Sequence, residues 1–336
     1  MLAVPATIAN DRASGARPID INRDSGQILA LLDQAFGPLP SGRGQRMLIS
    51  PAGSNFGSVL GPRFGDLFGG VVPGFVWEEA GRIVGTLSLL AARKTGKFLV
   101  ANVAVHPDYR RRGIATRLMI VSMEYMRKQG GQEILLQVER DNEAANRLYA
   151  DLHFSALGEV NNWTASTIGI KSIAPSSSEG FNIRSMSHGD EKAAYLLDQR
   201  CMPFSLRWPA PPHPTKYRQS LWRRISDFFN GKKMQVWVAD TSAPKPGKRR
   251  LVGLGYIESE WARPHELAIR VIDEWQGRVE RNMVSYLVAH VKQHRSGHVR
   301  INHLANDGYV NELLKEANFR IKRSLRLMHY SLSQDN

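Results

Sequence analysis

The chain holds a single cysteine, Cys201, among 336 residues. One thiol excludes an intrachain disulfide framework, and a reducing cytoplasm is the simplest compartment for such a chain. Cys201 sits in a mixed helical segment with no His–Asp set around it, so it reads as a small core residue rather than a nucleophile. Long hydrophobic runs are also missing. The longest, such as residues 83–92, fall well short of the roughly 20 apolar residues of a membrane helix. Residues 1–17 lack the apolar stretch of a secretory signal. His290 and His294 stand at i, i+4, and that pair reads as part of a basic helix face rather than as a metal site. Membrane enzymes, disulfide-stapled secreted domains and metal centres are thereby set aside.

Positive charge is in excess: 45 Lys and Arg face 31 Asp and Glu, for a net charge of +14. Residues 1–173 carry 19 basic and 15 acidic side chains, and the rest of the chain carries 26 and 16. Such a field favours anionic partners, whether nucleotides, nucleic acid or anionic surfaces. Two basic clusters stand out in the second half. One is Lys245, Lys248, Arg249 and Arg250. The other is Arg218, Arg223, Arg224, Lys232 and Lys233, with Trp222 and Phe228 nearby. Both read first as solvated basic faces, with RNA or ribosome binding as the alternative.

The length suits two domains, and the order of segments suggests one plan used twice. Ile19-Asp20-Ile21 leads into a helix through Leu31, Leu32 and Phe36. Asn182-Ile183-Arg184 leads into another through Ala194, Leu196, Leu197 and Cys201. Each half then has a long irregular stretch, three strands ending near Val105 and Ile272, a helix, and a strand–helix–strand end. The Ser/Pro-rich residues 174–180 read as a linker between domains at 1–173 and 181–336. Ten glycines punctuate residues 37–74, interspersed with Phe56, Phe64, Leu67 and Phe68. So long a loop reads either as a lid over a substrate or as a surface excursion.

Residues 103–116 are the most informative stretch. Val103-Ala104-Val105 is a short apolar strand, His106-Pro107-Asp108-Tyr109 a turn, and Arg110-Arg111-Arg112 a basic run. Gly113-Ile114-Ala115-Thr116 then opens a helix carried on by Leu118, Val121 and Tyr125. First-turn helix N–H groups have no partner inside the helix, and small residues let phosphate oxygens approach them. A second segment runs as a strand over Ile134–Glu139. It continues into a helix with Ala145, Leu148, Tyr149 and Leu152 on one face, opened by Asp141 or Asn142 as cap.

These two segments resemble the acetyl-CoA site of the GNAT superfamily of N-acetyltransferases. Its pattern Arg/Gln-x-x-Gly-x-Gly/Ala falls on Arg110, Gly113 and Ala115. Its Asn-x-x-Ala-x-x-Leu-Tyr falls on Asn142, Ala145, Leu148 and Tyr149, followed by Phe154. His153 stands where the family usually has glycine. The first-half motifs are similar to those of ribosomal-protein N-terminal acetyltransferases. The resemblance implies an α/β (α+β) fold of two tandem GNAT-like domains, each a mixed, mainly antiparallel sheet flanked by helices. It also implies acetyl-CoA as acyl donor. The donor would be held by the backbone of Val103, Ala104 and Val105, by Arg110, Arg111, Arg112, Gly113, Ile114, Ala115 and Thr116, and by Asn142.

The second copy matches Arg110–Ala115 to Gln276–Arg281, with Val279 for the glycine and Glu280 where a pyrophosphate would sit. Leu314 matches Tyr149, and Phe319 matches Phe154. It therefore reads as a degenerate, non-catalytic domain. In the first half Tyr149 is the candidate acid for the departing thiolate, with a core tyrosine as the bland alternative. The base is open. Gln137 stands where those relatives have glutamate and can orient a water, while Glu139, His106, Glu78 and Glu79 are further options. Two functions compete. One is acetyl-CoA-dependent transfer to a protein N-terminus, a lysine or a small amine. The other is a non-catalytic acyl-CoA sensor or a nucleic-acid-associated module. Neither acceptor nor oligomeric state is legible.

Overall fold

The computed structural model describes residues 14–37, 71–92, 96–178, 180–201, 214–218, 231–241, 250–261, 263–293 and 297–332. The glycine-rich stretch at 38–70 and the basic residues Arg223, Arg224, Lys245, Lys248 and Arg249 lie outside them.

The chain divides into two compact units. One comprises residues 1–138, 142–156 and 327–336, the other residues 139–141 and 157–326. This division departs from a boundary at 174–180. Residues 157–173 belong to the second unit, and residues 327–332 belong to the first.

In the first unit, β1 (Ser14–Pro18), β2 (Val71–Glu79), β3 (Arg82–Ala92) and β4 (Lys97–Val105) form an antiparallel run, and β4 pairs in parallel with β5 (Glu133–Glu139). The first strand lies before Ile19, because the Asp20 side chain accepts from the N–H groups of Asn22 and Arg23 and so starts helix α1 (Ile21–Phe36). Helix α2 (Ile114–Lys128) and helix α3 (Glu143–Asp151) share a core with Phe75, Trp77, Leu87, Leu136, Val138 and Tyr149. On the opposite face, α1 buries Leu31 and Leu32 against Val76, Ile83 and Ala104. The unit is completed by the end of β12 (Arg320–Ser331). Met328 and Leu332 enter the α2 core, and the Leu332 N–H donates to the Gln132 carbonyl at 2.8 Å.

The second unit follows the same order. β7 (Asn182–Ser185), β8 (Lys232–Thr241), β9 (Arg250–Glu260) and β10 (His265–Val271) are antiparallel, and β10 pairs in parallel with β11 (His298–Leu304). Helices α4 (Glu191–Cys201), α5 (Glu280–Val291) and α6 (Gly308–Glu316) pack on this sheet. Its last strand comes from the first half of the sequence: residues 160–166 of β6 (Ser155–Ser166) pair antiparallel with β11.

The repeat is exact enough to be read bond by bond. Arg17 joins Asp24 at 2.6 Å and Glu78 at 2.5 Å, and Arg184 joins Asp190 at 2.6 Å and Asp240 at 2.7 Å. Arg140 N–H donates to the Ser324 carbonyl at 2.9 Å, and Ala305 N–H to the Glu159 carbonyl at 3.0 Å. These pairs set the register between copies and place Tyr149 against Leu314, Phe154 against Phe319, and Tyr330 against Ala165.

Candidate functional site

β3 and β4 keep register from Gly85–Val105 to Thr86–Ala104, then shift before Ser88–Ala101. Two residues of β4, Asn102 and Val103, thus oppose one of β3. This is a β-bulge, and it bends the strand. Asn102 takes φ +54, the left-handed region that asparagine tolerates best among residues with a Cβ. Its amide donates to the Ser88 Oγ at 3.2 Å. On the other side, among the described residues, the β4–β5 ladder runs from Lys97–Glu133 to Val100–Leu136 and goes no further. β4 continues to Val105, so its outer backbone groups past Val100 can pair with an extended ligand as an added strand would. The sequence pattern did not reveal the bulge. Its one signal was an asparagine inside an apolar strand.

Beyond β4 the chain turns over Pro107–Tyr109 into α2. Gly113 is the N-cap residue, at φ +75, and no side chain caps the helix. Helices α1, α3 and α6 are each capped by their own Asp20, Asn142 or Asp307. A Cβ built on Gly113 meets nothing within 4 Å, so the space over this helix end is open. Open N–H groups beside a left-handed residue form a concavity suited to phosphate oxygens. Three cations flank it. Arg110 Nε donates to the Val105 carbonyl at 3.2 Å, and Arg112 Nη2 to the Asp108 carbonyl at 3.1 Å while lying 4.7 Å over the Tyr109 ring. Arg111, at φ +61, is exposed. Ala104 and Ile114 turn their side chains into the two cores, and Ala115 and Thr116 are half-buried.

Residues 64–154 match the Acetyltransferase (GNAT) family. The chain carries a GNAT acetyltransferase domain. Within it, a 55-residue stretch is 46% identical to N-alpha-acetyltransferase 30 of Schizosaccharomyces pombe (strain 972 / ATCC 24843), covering 16% of this chain and 37% of that protein. Two solved structures share the fold over nearly the whole chain. A tandem GNAT protein from the clavulanic acid biosynthesis pathway has TM-score 0.54 and 16% identity, covering 96% of this chain and 100% of its own. A GCN5-related N-acetyltransferase from Sphaerobacter thermophilus has TM-score 0.62 and 16% identity, covering 96% and 97%. The tandem architecture expected from the repeat is thus a known arrangement of this fold.

The remaining candidates in the GNAT domain are sorted by geometry. Tyr149 lies in the α2 core, almost wholly enclosed, and burial raises its hydroxyl well above the ordinary tyrosine value. No hydrogen bond reaches that hydroxyl among the described residues. Asn142 Oδ1 accepts from the Ala145 N–H at 3.1 Å, so it caps α3. Leu136 and Val138 face Tyr149's core, so alternation turns the half-buried Gln137 to the opposite face of β5.

Glu139 belongs to the second unit by its contacts and pairs with Arg323 at 2.9 Å. Glu78 is held by Arg17 and Arg23, and Glu79 faces Trp77 and Arg112. His106 is buried, with Nε2 at 2.9 Å from Arg82 Nη2. A guanidinium only donates, so that nitrogen is an occupied acceptor and His106 has a structural task. Arg82 was not singled out from sequence, since its partner is 24 residues away. Burial pushes the Cys201 thiol up to about 11, which suits a core residue.

In the second unit the corresponding helix end is closed. Val279 stands for Gly113, with its side chain fully buried against Gly253. Glu280 is buried, with its carboxylate beside the backbone N–H groups of its own helix start and one of its oxygens left without a hydrogen-bond partner among the described residues. The helix end that is open in the first unit is occupied here by the helix's own side chain. Among the described residues no group of three His, Cys, Asp or Glu could hold a metal, and no helix is long and apolar enough to cross a membrane.

Proposed function

We propose that the first unit is an acetyl-CoA-dependent N-acetyltransferase that passes an acetyl group to a primary amine by direct attack in a ternary complex. The observation that carries this is the uncapped, arginine-flanked end of α2, reached from a strand whose ladder to β5 has already stopped. The pyrophosphate would lie on the N–H groups of Gly113–Thr116. The pantetheine amides would pair with β4 past Val100, and the thioester would sit beside the bulge. Attack of the neutral amine on the thioester carbon forms the C–N bond and breaks C–S. The ammonium proton leaves through water oriented by Gln137. The departing thiolate takes a proton from the Tyr149 hydroxyl on the other face of β5, and that oxygen is reprotonated from solvent. A backbone N–H near Val105 is the oxyanion donor. The name of the curated relative makes an α-amino group the first acceptor class to screen.

Gly113→Glu puts bulk and negative charge into the open space and a side chain on a left-handed backbone. Acetyl-CoA binding to the full chain should be lost by calorimetry, and retained affinity would sink the site. Tyr149→Phe deletes one oxygen. It should lower kcat about tenfold to a thousandfold, since water rescues part of general-acid catalysis, with acetyl-CoA affinity unchanged. An unchanged kcat with chemistry rate-limiting would leave Tyr149 a core residue.

A sensor that binds acyl-CoA without transfer is favoured by one observation: Gln137 cannot take a proton, and Glu139 is already paired with Arg323. Release of free thiol from acetyl-CoA across an amine panel separates the two readings. Tight binding with no thiol release selects the sensor.

A further inference from the structure

The Tyr149 hydroxyl has no hydrogen-bond partner among the described residues, so only packing fixes its direction. The ring that packs on it is Phe154, with centroids 5.8 Å apart. Phe154 in turn lies against Tyr330 at 5.4 Å. Tyr330 belongs to the last strand of the chain, on the same side as Met328 and Leu332 in the α2 core. The aromatic ladder therefore starts in the GNAT domain's own helix α3 and ends in a residue 181 positions later.

The second unit is a natural control. Its helix α6 carries Leu314 where α3 has Tyr149. The intermediate Phe319 is kept, with the same bond from its N–H to the residue-314 carbonyl at 2.9 Å that Phe154 makes to residue 149. At the position of Tyr330 it has Ala165, buried in its own core. Where the hydroxyl-bearing ring is absent, the supporting ring is absent too, although the linking phenylalanine is retained for packing. A supporting ring needed only to fill the fold would be needed in both units.

We infer that Tyr330 is a positioning residue for acetyl transfer: through Phe154 it holds the Tyr149 hydroxyl in register with the departing thiolate. This rests on the acid role proposed for Tyr149. A ring with no polar tether can tilt when its neighbour loses support, and a displacement of about 1 Å at a reacting group costs on the order of a hundredfold. The effect should fall on kcat. Tyr330 acts here through Phe154 and the Tyr149 hydroxyl, not through the basic turn or Gly113–Thr116, so acetyl-CoA affinity should stand.

The test is a double-mutant cycle in the full chain, with Tyr330→Ala, Tyr149→Phe and the pair together. Tyr330→Ala should lower kcat on the order of tenfold to a hundredfold and leave the calorimetric acetyl-CoA affinity within about twofold. Tyr330→Phe, which keeps the ring, should restore kcat. In the Tyr149→Phe background Tyr330→Ala should cost no further rate, because the hydroxyl it positions is gone. Equal losses in both backgrounds, or a Tyr330→Phe as slow as Tyr330→Ala, would overturn the inference. If Tyr149→Phe alone changes nothing, the acid role itself has failed, which is a separate outcome. Should Tyr330→Ala not fold by circular dichroism, Tyr330→Leu keeps apolar volume without the ring and takes its place in the cycle under the same criteria.

Discussion

Leu32 of α1 and Ala104 of β4 share a small apolar core, and the copy at the corresponding positions has Asp198 and Arg270. Asp198 is fully buried, taking Arg270 Nε at 3.0 Å, Lys216 Nζ at 3.0 Å and the Tyr217 hydroxyl at 2.6 Å. Burial works to raise this carboxyl, but Arg270, Lys216 and Tyr217 outweigh it and hold the group well below the usual carboxylate range. A folded value below the unfolded one, about 3.9, adds stability that is fully present above that pH and is lost as pH falls through it. Asp198→Asn should therefore flatten the decline of urea stability below about pH 4 while lowering stability at pH 7. Curves for variant and wild type that stay parallel from pH 3 to 7 would dismiss the pair as a pH-sensitive contributor. No sequence pattern announced this cluster, since Lys216 and Tyr217 meet Asp198 only through the fold. Gly113 was legible, in contrast, because its strand, turn, arginines and helix are contiguous and a helix end needs no distant partner to define it.

The ends of α2 and α5 make the same comparison for an element. Both begin after a turn stabilised by an arginine on an aromatic ring, Arg112 on Tyr109 at 4.7 Å and Arg278 on Trp275 at 4.3 Å. One end is open, and the other is filled by its own Glu280. The sequence already read Glu280 as a charge in a pyrophosphate's place; that its carboxylate turns back onto the backbone became visible only in three dimensions. Burial raises the Glu280 carboxyl above its ordinary value, with the backbone N–H groups of its helix start offsetting part of the rise. The sign is thus opposite to that of Asp198: the native state holds the proton more tightly, so stability declines as pH rises from about 4.3 through the folded value. Glu280→Gln should remove that slope, and its stability advantage over wild type in urea should grow between pH 4 and 6.5. A constant difference across that range would mean that Glu280 ionises as freely folded as unfolded. The bulge at Asn102 belongs to the same scale. Its φ of +54 and the shift in register are consequences of pairing with β3, which a single strand's pattern of apolar residues does not encode.

At the scale of the whole molecule the repeats are tied by exchange of their last strands. β6 follows α3 in sequence yet supplies its residues 160–166 to β11, and the end of β12 supplies the first unit. Reading the chain in order placed a boundary at 174–180, because two strands of equal length and similar alternation carry no mark of which sheet each will join. The exchange has an energetic consequence for any attempt to separate the halves. Leu327, Met328 and Leu332 are each at most 5% exposed. Full burial of such a side chain contributes about 1.5–3 kcal/mol, so the three together supply roughly 4.5–9 kcal/mol. That is comparable with the entire stability of an ordinary domain, about 5–15 kcal/mol. A chain ending at Phe319 keeps every residue from Val103 to Thr116, and Asn142 and Tyr149 as well, but loses that strand. It should therefore show no cooperative thermal transition for the first unit and no acetyl-CoA binding by calorimetry. Residues 1–173 alone should fail in the same way, and co-expression with residues 174–336 should restore both readouts, since the missing strand then returns on the second fragment. If residues 1–173 alone bind acetyl-CoA as tightly as the full chain, the exchanged strand is dispensable and the boundary read from sequence is the functional one.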